Sequence, residues 1–144
     1  MKYLGIDYGT KKIGVATSDD SGVIAFPHSI ILYNEDSLSA IIKLVSDEHI
    51  DCIVMGDSLT GTRNENPVMI SARRFAKALK ERILVPMYWM NEFGTTASVL
   101  QSHVAMSGQR SDQASKAPRH GGVNIPVDDQ AAAIMLQRYL DSVR

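Results

Sequence analysis

Three acidic residues stand where a carboxylate could take part in chemistry. Asp7 closes the first apolar run of the chain, Glu92 follows the last predicted strand, and Asp128 falls in the first turn of the last predicted helix. Sites in mixed α/β sheets form at the carboxyl ends of strands, so Asp7 and Glu92 could face one crevice that Asp128 reaches from the helix start. Each acid also has an ordinary explanation, Asp7 as a turn former and Asp128 as an acid favoured by the helix dipole.

Three carboxylates brought together would repel one another unless a dication neutralised them. A site built from oxygen ligands, without a histidine or cysteine cluster, favours magnesium or manganese over zinc. Two such ions, ~3.5–4 Å apart, can activate water and stabilise the leaving oxygen in phosphodiester cleavage. The acids therefore predict a site for Mg²⁺ or Mn²⁺, with two ions, in an enzyme that hydrolyses phosphodiesters.

The first twenty residues position Asp7. Two strand-like runs, Tyr3–Ile6 and Ile13–Thr17, are separated by a turn that contains Gly9 and Thr10. This pattern predicts a β-hairpin. We expect Asp7 at its open end, with Gly9 allowing a ligand to approach the backbone.

The rest of the chain alternates helical and strand-like segments. This order predicts an α/β fold with one mixed five-stranded sheet and helices on both faces. The expected strands after the hairpin are an edge strand within Val23–Leu32 that contains Pro27, a strand Asp51–Gly56 and a strand Ile83–Trp89. The expected helices are one with Leu38, Ile41, Ile42 and Val45 on its core face, one that starts at Asn66-Pro67, one from Gly94 to Met106, and a last one from about Val127 to Val143. The last helix has Ala131, Ile134, Met135 and Leu140 available for packing.

Length and composition fit one soluble globular domain that spans residues 1–144. No apolar run approaches the ~18 residues that a membrane span requires, and we expect no membrane partner. The N-terminus lacks the pattern of a signal peptide. Cys52 is the single cysteine and lies in an apolar run, so we expect a buried, inert thiol in a reducing compartment, the cytoplasm.

The net charge of −1 hides an uneven distribution of bases. Between Arg63 and Arg82 six bases face two acids, and four of these bases fall on one side of the predicted helix. Such a face could contact nucleic acid or simply be solvated. A second group of bases lies in the long polar segment Ser107–Pro126. The four helix bases are Arg73, Arg74, Lys77 and Lys80, and the bases of the long segment are Arg110, Lys116 and Arg119.

Three stretches resemble the motifs of one known family. Residues 4–16, LGIDYGTKKIGVA, resemble the opening motif of the YqgF/RuvX family, described as Holliday-junction resolvases or as pre-16S ribosomal RNA nucleases. Residues 127–132, VDDQAA, resemble the closing Asp-x-x-Ala-Ala helix of that family, and residues 91–96, NEFGTT, its middle motif, usually DERLTT. The resemblance spans nearly the whole chain. It implies a ribonuclease H-like fold with Asp7, Glu92 and Asp128 as the metal-binding catalytic acids.

Four departures from the family pattern concern substrate handling. Asn91 replaces an acid, and Phe93 replaces an arginine that would be a planar phosphate donor. Asp57-Ser58 stands where the family has Leu-Pro, and Ser107–Pro126 is less basic than the usual connection. The three acids survive all of these changes.

The resemblance implies a metal-dependent endonuclease that acts on structured nucleic acid, and it favours processing of the 5′ end of precursor 16S ribosomal RNA. Lys11 and Lys12 are expected to hold the scissile strand, and Ser107–Pro126 to close on bound nucleic acid. A Holliday-junction resolvase is an alternative, which would ask for a homodimer rather than a monomer. A catalytically weak RNA-binding ribosome-assembly factor is another, suggested by Asn91 and Phe93. The Asp7 motif also resembles the phosphate loop of actin- and hexokinase-like ATPases, but those need two such domains.

Overall fold

The computed structural model describes residues 1–57, 67–91 and 127–144. Within them the chain forms five strands and three helices. The strands are β1 (Tyr3–Tyr8), β2 (Lys12–Ser18), β3 (Ala25–Leu32), β4 (Cys52–Asp57) and β5 (Met87–Asn91), and the helices are α1 (Ser37–Asp47), α2 (Pro67–Lys80) and α3 (Val127–Ser142). The predicted helix 94–106 and the predicted closing segment 107–126 lie outside the described residues.

The five strands form one mixed sheet in the order β3-β2-β1-β4-β5. β1 pairs antiparallel with β2, and β2 pairs antiparallel with β3. β4 lies parallel to both β1 and β5. The predicted five-stranded mixed sheet is therefore confirmed. The edge position predicted from Pro27 is also confirmed, because Pro27 lies in β3, which is an edge strand. A proline has no N–H to donate, and an edge strand tolerates this since it pairs with a neighbour on one side only.

The hairpin is confirmed, but the expected position of Asp7 within it is wrong. Asp7 pairs with Gly14, and the next pair, Tyr8 with Ile13, closes the ladder before the turn. Asp7 thus lies beside the turn rather than at the open end. The reason is that Tyr8 is buried in the core, which extends both strands beyond the apolar runs that the sequence displays.

Helices cover both faces of the sheet, as predicted. On one face α1 and α2 pack on alternate residues of the central strands, among them Leu4, Ile6 and Ile53. On the other face α3 packs on Ala16 and Val54. Within the described ranges, no helix combines the length and the apolar character that a membrane span requires.

The last described strand begins later than predicted. Ile83 to Pro86 precede β5 instead of opening it. The Ile83 N–H donates to the Leu79 carbonyl over 3.1 Å and so finishes the end of α2. Pro86 has no N–H to offer a ladder, although its carbonyl accepts from Ile53 N over 2.9 Å, and regular pairing starts at Met87.

The last helix packs through a somewhat different set of side chains from the predicted one. Met135 and Leu140 are buried, as predicted, but Ala131 and Ile134 are only half-buried. The missed contacts come from the neighbouring stripe of α3, which carries buried Ala132, Ala133 and Leu136.

Candidate functional site

Asp7 lies at the carboxyl end of β1, at the middle of the sheet. It is half-buried and lines a cavity of about 230 Å³. The rest of the lining comes from the last residue of β1, the hairpin turn and the start of β2, residues 8 to 12 and Gly14. The central strand thus presents one carboxylate at the mouth of a small cavity.

The hairpin turn holds two lysines at this cavity. Lys11 and Lys12 are exposed and line the same cavity as Asp7. Gly9 makes the turn possible, because a Cβ at this position would lie 2.5 Å from the Lys12 carbonyl oxygen. The Lys11 carbonyl accepts a hydrogen bond from Tyr33 N over 2.9 Å, which fixes the turn to the end of β3.

The packing of α3 on β1 sets the direction of that helix. Tyr139 meets Tyr3 at the start of β1, with ring centroids 6.0 Å apart. Further along the strand, a Cβ on Gly5 would lie 2.9 Å from Leu136 Cβ and 3.3 Å from the Ala132 carbonyl oxygen. The helix therefore runs antiparallel to β1, on the face of the sheet to which Gly5 belongs.

This direction brings the backbone around Asp128 toward the end of β1 that carries Asp7. Asp7 follows Gly5 by two strand residues, about 6.6 Å along the strand. Asp128 precedes Ala132 by four helical residues, about 6 Å along the axis. Because α3 and β1 run in opposite directions, a step toward the carboxyl end of β1 and a step toward the start of α3 lead to the same edge of the sheet. Asp7 also shares the face of Gly5, because strand side chains alternate with a period of two.

The third predicted acid, Glu92, lies outside the described residues, directly after β5. The register of the described strands can be followed from Asp7 as far as Met90, two residues before Glu92. In the sheet register, Ile6 pairs with Met55, and Gly56 pairs with Met90. One residue further along β1, Asp7 is therefore level with Gly56, which is in turn level with Met90. Gly56 has no side chain, which leaves the space beside Asp7 clear of β4.

A fourth acid, Asp57, ends the neighbouring strand but faces away from Asp7. It follows Met55 by two residues, and Met55 packs in the layer under α1 and α2 together with Tyr8. Its Oδ1 atom is buried and, among the described residues, has no hydrogen-bond partner. Asp57 therefore belongs to the opposite face of the sheet and does not add a ligand beside Asp7.

An aromatic cluster at the same edge was not predicted from the sequence. Burial raises the pKa of Tyr8 to about 12, and a hydrogen bond with the Tyr33 hydroxyl adds to this effect. The Tyr8 ring meets Tyr33 edge-on, with centroids 5.7 Å apart, and Phe75 at 5.4 Å. The only signal in the sequence was the position of Tyr33 directly after a strand.

The structure thus brings together part of the predicted site. Asp7, Lys11 and Lys12 share one cavity, and the first turn of α3 carries Asp128. The predicted substrate ligands Arg110, Lys116 and Arg119 lie outside the described residues, as Glu92 does. Within the described part of the chain, no three histidine, cysteine or acidic side chains form a group that could hold a metal.

The donor that is present at the cavity fits a hard cation. The half-buried carboxylate of Asp7 offers the kind of oxygen ligand that magnesium and manganese prefer. Cys52, the single thiol, is buried within β4, as predicted, and burial raises its pKa to about 11. Cys52 therefore does not offer a thiolate ligand to a soft metal.

Comparison with protein families gives one match over almost the full chain. The family described as "RuvX: Holliday junction resolvase" matches residues 1–142. Among curated relatives, a protein of Lawsonia intracellularis named "Putative pre-16S rRNA nuclease" is 35% identical over 143 residues, covering 98% of this chain and 94% of that protein. A protein of Bacillus subtilis with the same name is 32% identical over 147 residues, covering 99% of each chain.

Solved structures with the same fold include two complexes with Holliday junctions. The Thermus thermophilus RuvC complex with a Holliday junction substrate superposes with a TM-score of 0.60 at 11% identity, covering 99% of this chain and 95% of that one. The fowlpox virus resolvase complex with Holliday junction DNA gives 0.59 at 13% identity, covering 99% of each chain. At such identities the likeness concerns the fold, and it confirms the predicted ribonuclease H-like architecture.

Proposed function

This chain belongs to the RuvX family, and on that premise we propose that it is a metal-dependent endonuclease that cleaves structured nucleic acid, with the 5′ end of precursor 16S ribosomal RNA as its main substrate. The observation that carries the proposal is the placement of Asp7 at the carboxyl end of β1, in one cavity with Lys11 and Lys12. Residues 1–144 act as one nuclease domain in this proposal.

We assign the catalytic, metal-binding role to Asp7, Glu92 and Asp128. They would hold Mg²⁺ or Mn²⁺, with two ions in the complete site. When bound, such ions supply an activated water and neutralise charge on the leaving oxygen. The antiparallel course of α3 on β1 supports the pairing of Asp7 with Asp128, because the backbone of the first turn of α3 leads toward the end of β1 that carries Asp7.

The cationic side chains bind and orient the scissile strand. Lys11 and Lys12 lie beside Asp7 and offer two positive charges to a phosphate that approaches the cavity. Arg110, Lys116 and Arg119 belong to segment 107–126, which connects the region after Glu92 to the helix of Asp128. We propose that this segment closes on bound nucleic acid.

Two other functions remain alternatives. Resolution of a Holliday junction is favoured by the fold shared with two junction-bound resolvases. It would require a homodimer, because the two cuts are related by the two-fold symmetry of the junction. Catalytically weak RNA binding in ribosome assembly is suggested by Asn91 and Phe93, which replace an acid and an arginine. RNA processing would allow a monomer or a homodimer.

We place the protein in the cytoplasm, since its single thiol suits a reducing compartment.

A cleavage panel tests these functions against one another. The substrates are precursor 16S rRNA, a four-way DNA junction and unpaired strands of both kinds, each with Mg²⁺ and with Mn²⁺. The proposal expects cuts in the precursor that appear only with metal. Preferred, paired cuts in the junction would favour the resolvase. RNA binding without cleavage in either metal would favour the assembly factor.

A further inference from the structure

A second cavity, of about 350 Å³, lies between the end of β3 and helix α2. Its wall includes Tyr33, which is 47% exposed, and the buried Phe75. Asn34 and Glu35 line one side and Arg74 the other. The cavity therefore joins an accessible aromatic ring to polar groups that could pair with the edge of a flat ligand.

This cavity adjoins the proposed cleavage site through the backbone. Tyr33 N donates to the carbonyl of Lys11, and Lys11 lines the cavity of Asp7. β3 ends at the same edge as the hairpin turn, because Leu32 pairs with Lys12. A chain-like ligand that leaves Asp7 over this turn therefore meets Tyr33 next.

The Tyr33 ring has a fixed orientation. It contacts Tyr8 edge-on and shares a hydroxyl hydrogen bond with it. The backbone that follows is tied down as well. Ser37 Oγ accepts from Asn34 N over 2.7 Å and donates to the Leu32 carbonyl over 2.9 Å. A platform held in this way loses little conformational freedom when a ligand stacks on it.

Beyond Tyr33 the surface becomes basic. Arg74 also lines a third cavity, of about 260 Å³, together with Ile70, Arg73 and Lys77. These four residues are exposed on α2, opposite the face that packs Met69, Ala72, Phe75, Ala76 and Leu79. No acidic side chain is among the described residues that line this third cavity. It suits an anion such as a backbone phosphate.

We propose that the three cavities form one track for an unpaired nucleic-acid strand, in which a base stacks on Tyr33 and the adjoining phosphates bind Arg73, Arg74 and Lys77. The base belongs in the second cavity because Glu35 would repel a phosphate there. An unpaired strand is required because a base inside a duplex is already stacked on its neighbours. The inference rests on the proposed function and adds its substrate class: a single-stranded segment that flanks the cleavage point.

The test compares binding of a short single-stranded RNA, the matching single-stranded DNA and the RNA duplex, with a chelator present so that no cleavage occurs. Loss of one stacked base should weaken single-strand binding about fivefold or more. We therefore expect Tyr33→Ala to lose at least this factor on both single strands and little on the duplex. Tyr33→Phe loses the same hydroxyl but keeps the ring and its edge-on contact with Tyr8, so it should retain most of the single-strand affinity.

Two control variants match the perturbations. Phe26 is 49% exposed and lies near the start of β3, whereas Tyr33 follows the end of that strand, so Phe26→Ala removes a similarly exposed ring away from the track. Arg74→Gln should lower the slope of log affinity against log salt by about 0.7 for single strands. Lys43→Gln, on the exposed side of α1, should leave that slope unchanged.

Three outcomes would overturn the track. Tyr33→Ala could bind the single strand as tightly as the wild type, or Tyr33→Ala and Phe26→Ala could weaken all three ligands equally. The wild type could also bind none of them. The cleavage panel separates this failure from failure of the proposed function. If the wild type cuts precursor rRNA while Tyr33→Ala binds normally, the track is refuted and the proposed function stands.

Discussion

Gly5→Ala is the substitution whose effect follows most directly from the packing of α3 on β1. The added methyl group would lie 2.9 Å from Leu136 Cβ, whereas ordinary contacts begin at about 3.4 Å, so helix and strand must separate by about 0.5 Å. The Ala132 carbonyl oxygen, at 3.3 Å, restricts a sideways escape. Overpacking of this kind costs about 1–3 kcal/mol of unfolding free energy. Urea unfolding monitored by circular dichroism measures it.

The same displacement should reduce cleavage, because Asp128 lies one helical turn before Ala132. Catalytic groups need placement within ~0.5 Å, and a 1 Å error can cost ~100-fold, so we expect roughly tenfold slower turnover. Met135→Ala is the matched control. It removes volume from the same layer, costs about 2–5 kcal/mol, and adds no atom between α3 and β1. Both variants are assayed well below their melting temperatures.

Two results would refute this reasoning. Unfolding free energy of Gly5→Ala within about 0.5 kcal/mol of the wild type would mean that α3 does not rest on the β1 backbone at this point. Equal turnover in Gly5→Ala and Met135→Ala, with both destabilised, would mean that the separation of α3 from β1 does not set the site.

Three further predictions concern the turn lysines, an acidic turn and the thiol. Replacing both Lys11 and Lys12 by alanine should weaken nucleic-acid binding and lower its salt slope by about 0.7 for each lost single-strand phosphate contact; an unchanged slope in a binding titration would count against their role. The pKa of Asp19 lies below its usual range, chiefly because the backbone N–H of Ile24 donates to it. The contribution of Asp19 to stability is therefore full above its unfolded pKa of about 3.9 and is lost as the pH falls below that value. In thermal melts, Asp19→Asn should be less stable than the wild type at pH 7, and the difference should shrink in acid. Cys52 should react with a thiol reagent only on unfolding, because it is buried with a raised pKa; rapid labelling of the native protein would contradict its placement.

The sequence was most informative where local pattern and tertiary packing agree. The hairpin could be predicted because two apolar runs flank a glycine-containing turn. The edge position of β3 could be predicted because Pro27 cannot complete an inner ladder. The start of α2 at Pro67 followed in the same way, since proline suits the first helical position.

Features that depend on a choice between competing backbone partners, or on partners distant in the chain, escaped prediction. Ile83 and Val85 resemble the start of a strand, yet Ile83 N bonds to Leu79 at the end of α2, and this choice is invisible in the apolar pattern. The face on which Asp57 lies follows only from the parallel register of β4 with β1. The approach of Tyr33 to Lys11 joins residues of two different strand ends, so no local pattern displays it.

The candidate site divides in the same way. Asp7 could be placed at a strand end from its own neighbours, and the packing of α3 on Gly5 adds the direction in which Asp128 lies. The assignment of Glu92 depends on the family resemblance, because a single acid after a strand carries little information by itself.

The most direct test of the central claim is the single-turnover cleavage rate of Asp7→Asn on precursor 16S rRNA with Mg²⁺ and Mn²⁺. Asp57→Asn is the matched control, since this acid also ends a central strand but faces the opposite side of the sheet. The account predicts that Asp7→Asn folds, still binds RNA and cleaves at least ~100-fold more slowly than the wild type, whereas Asp57→Asn cleaves at the wild-type rate. Wild-type cleavage by Asp7→Asn in either metal would contradict it.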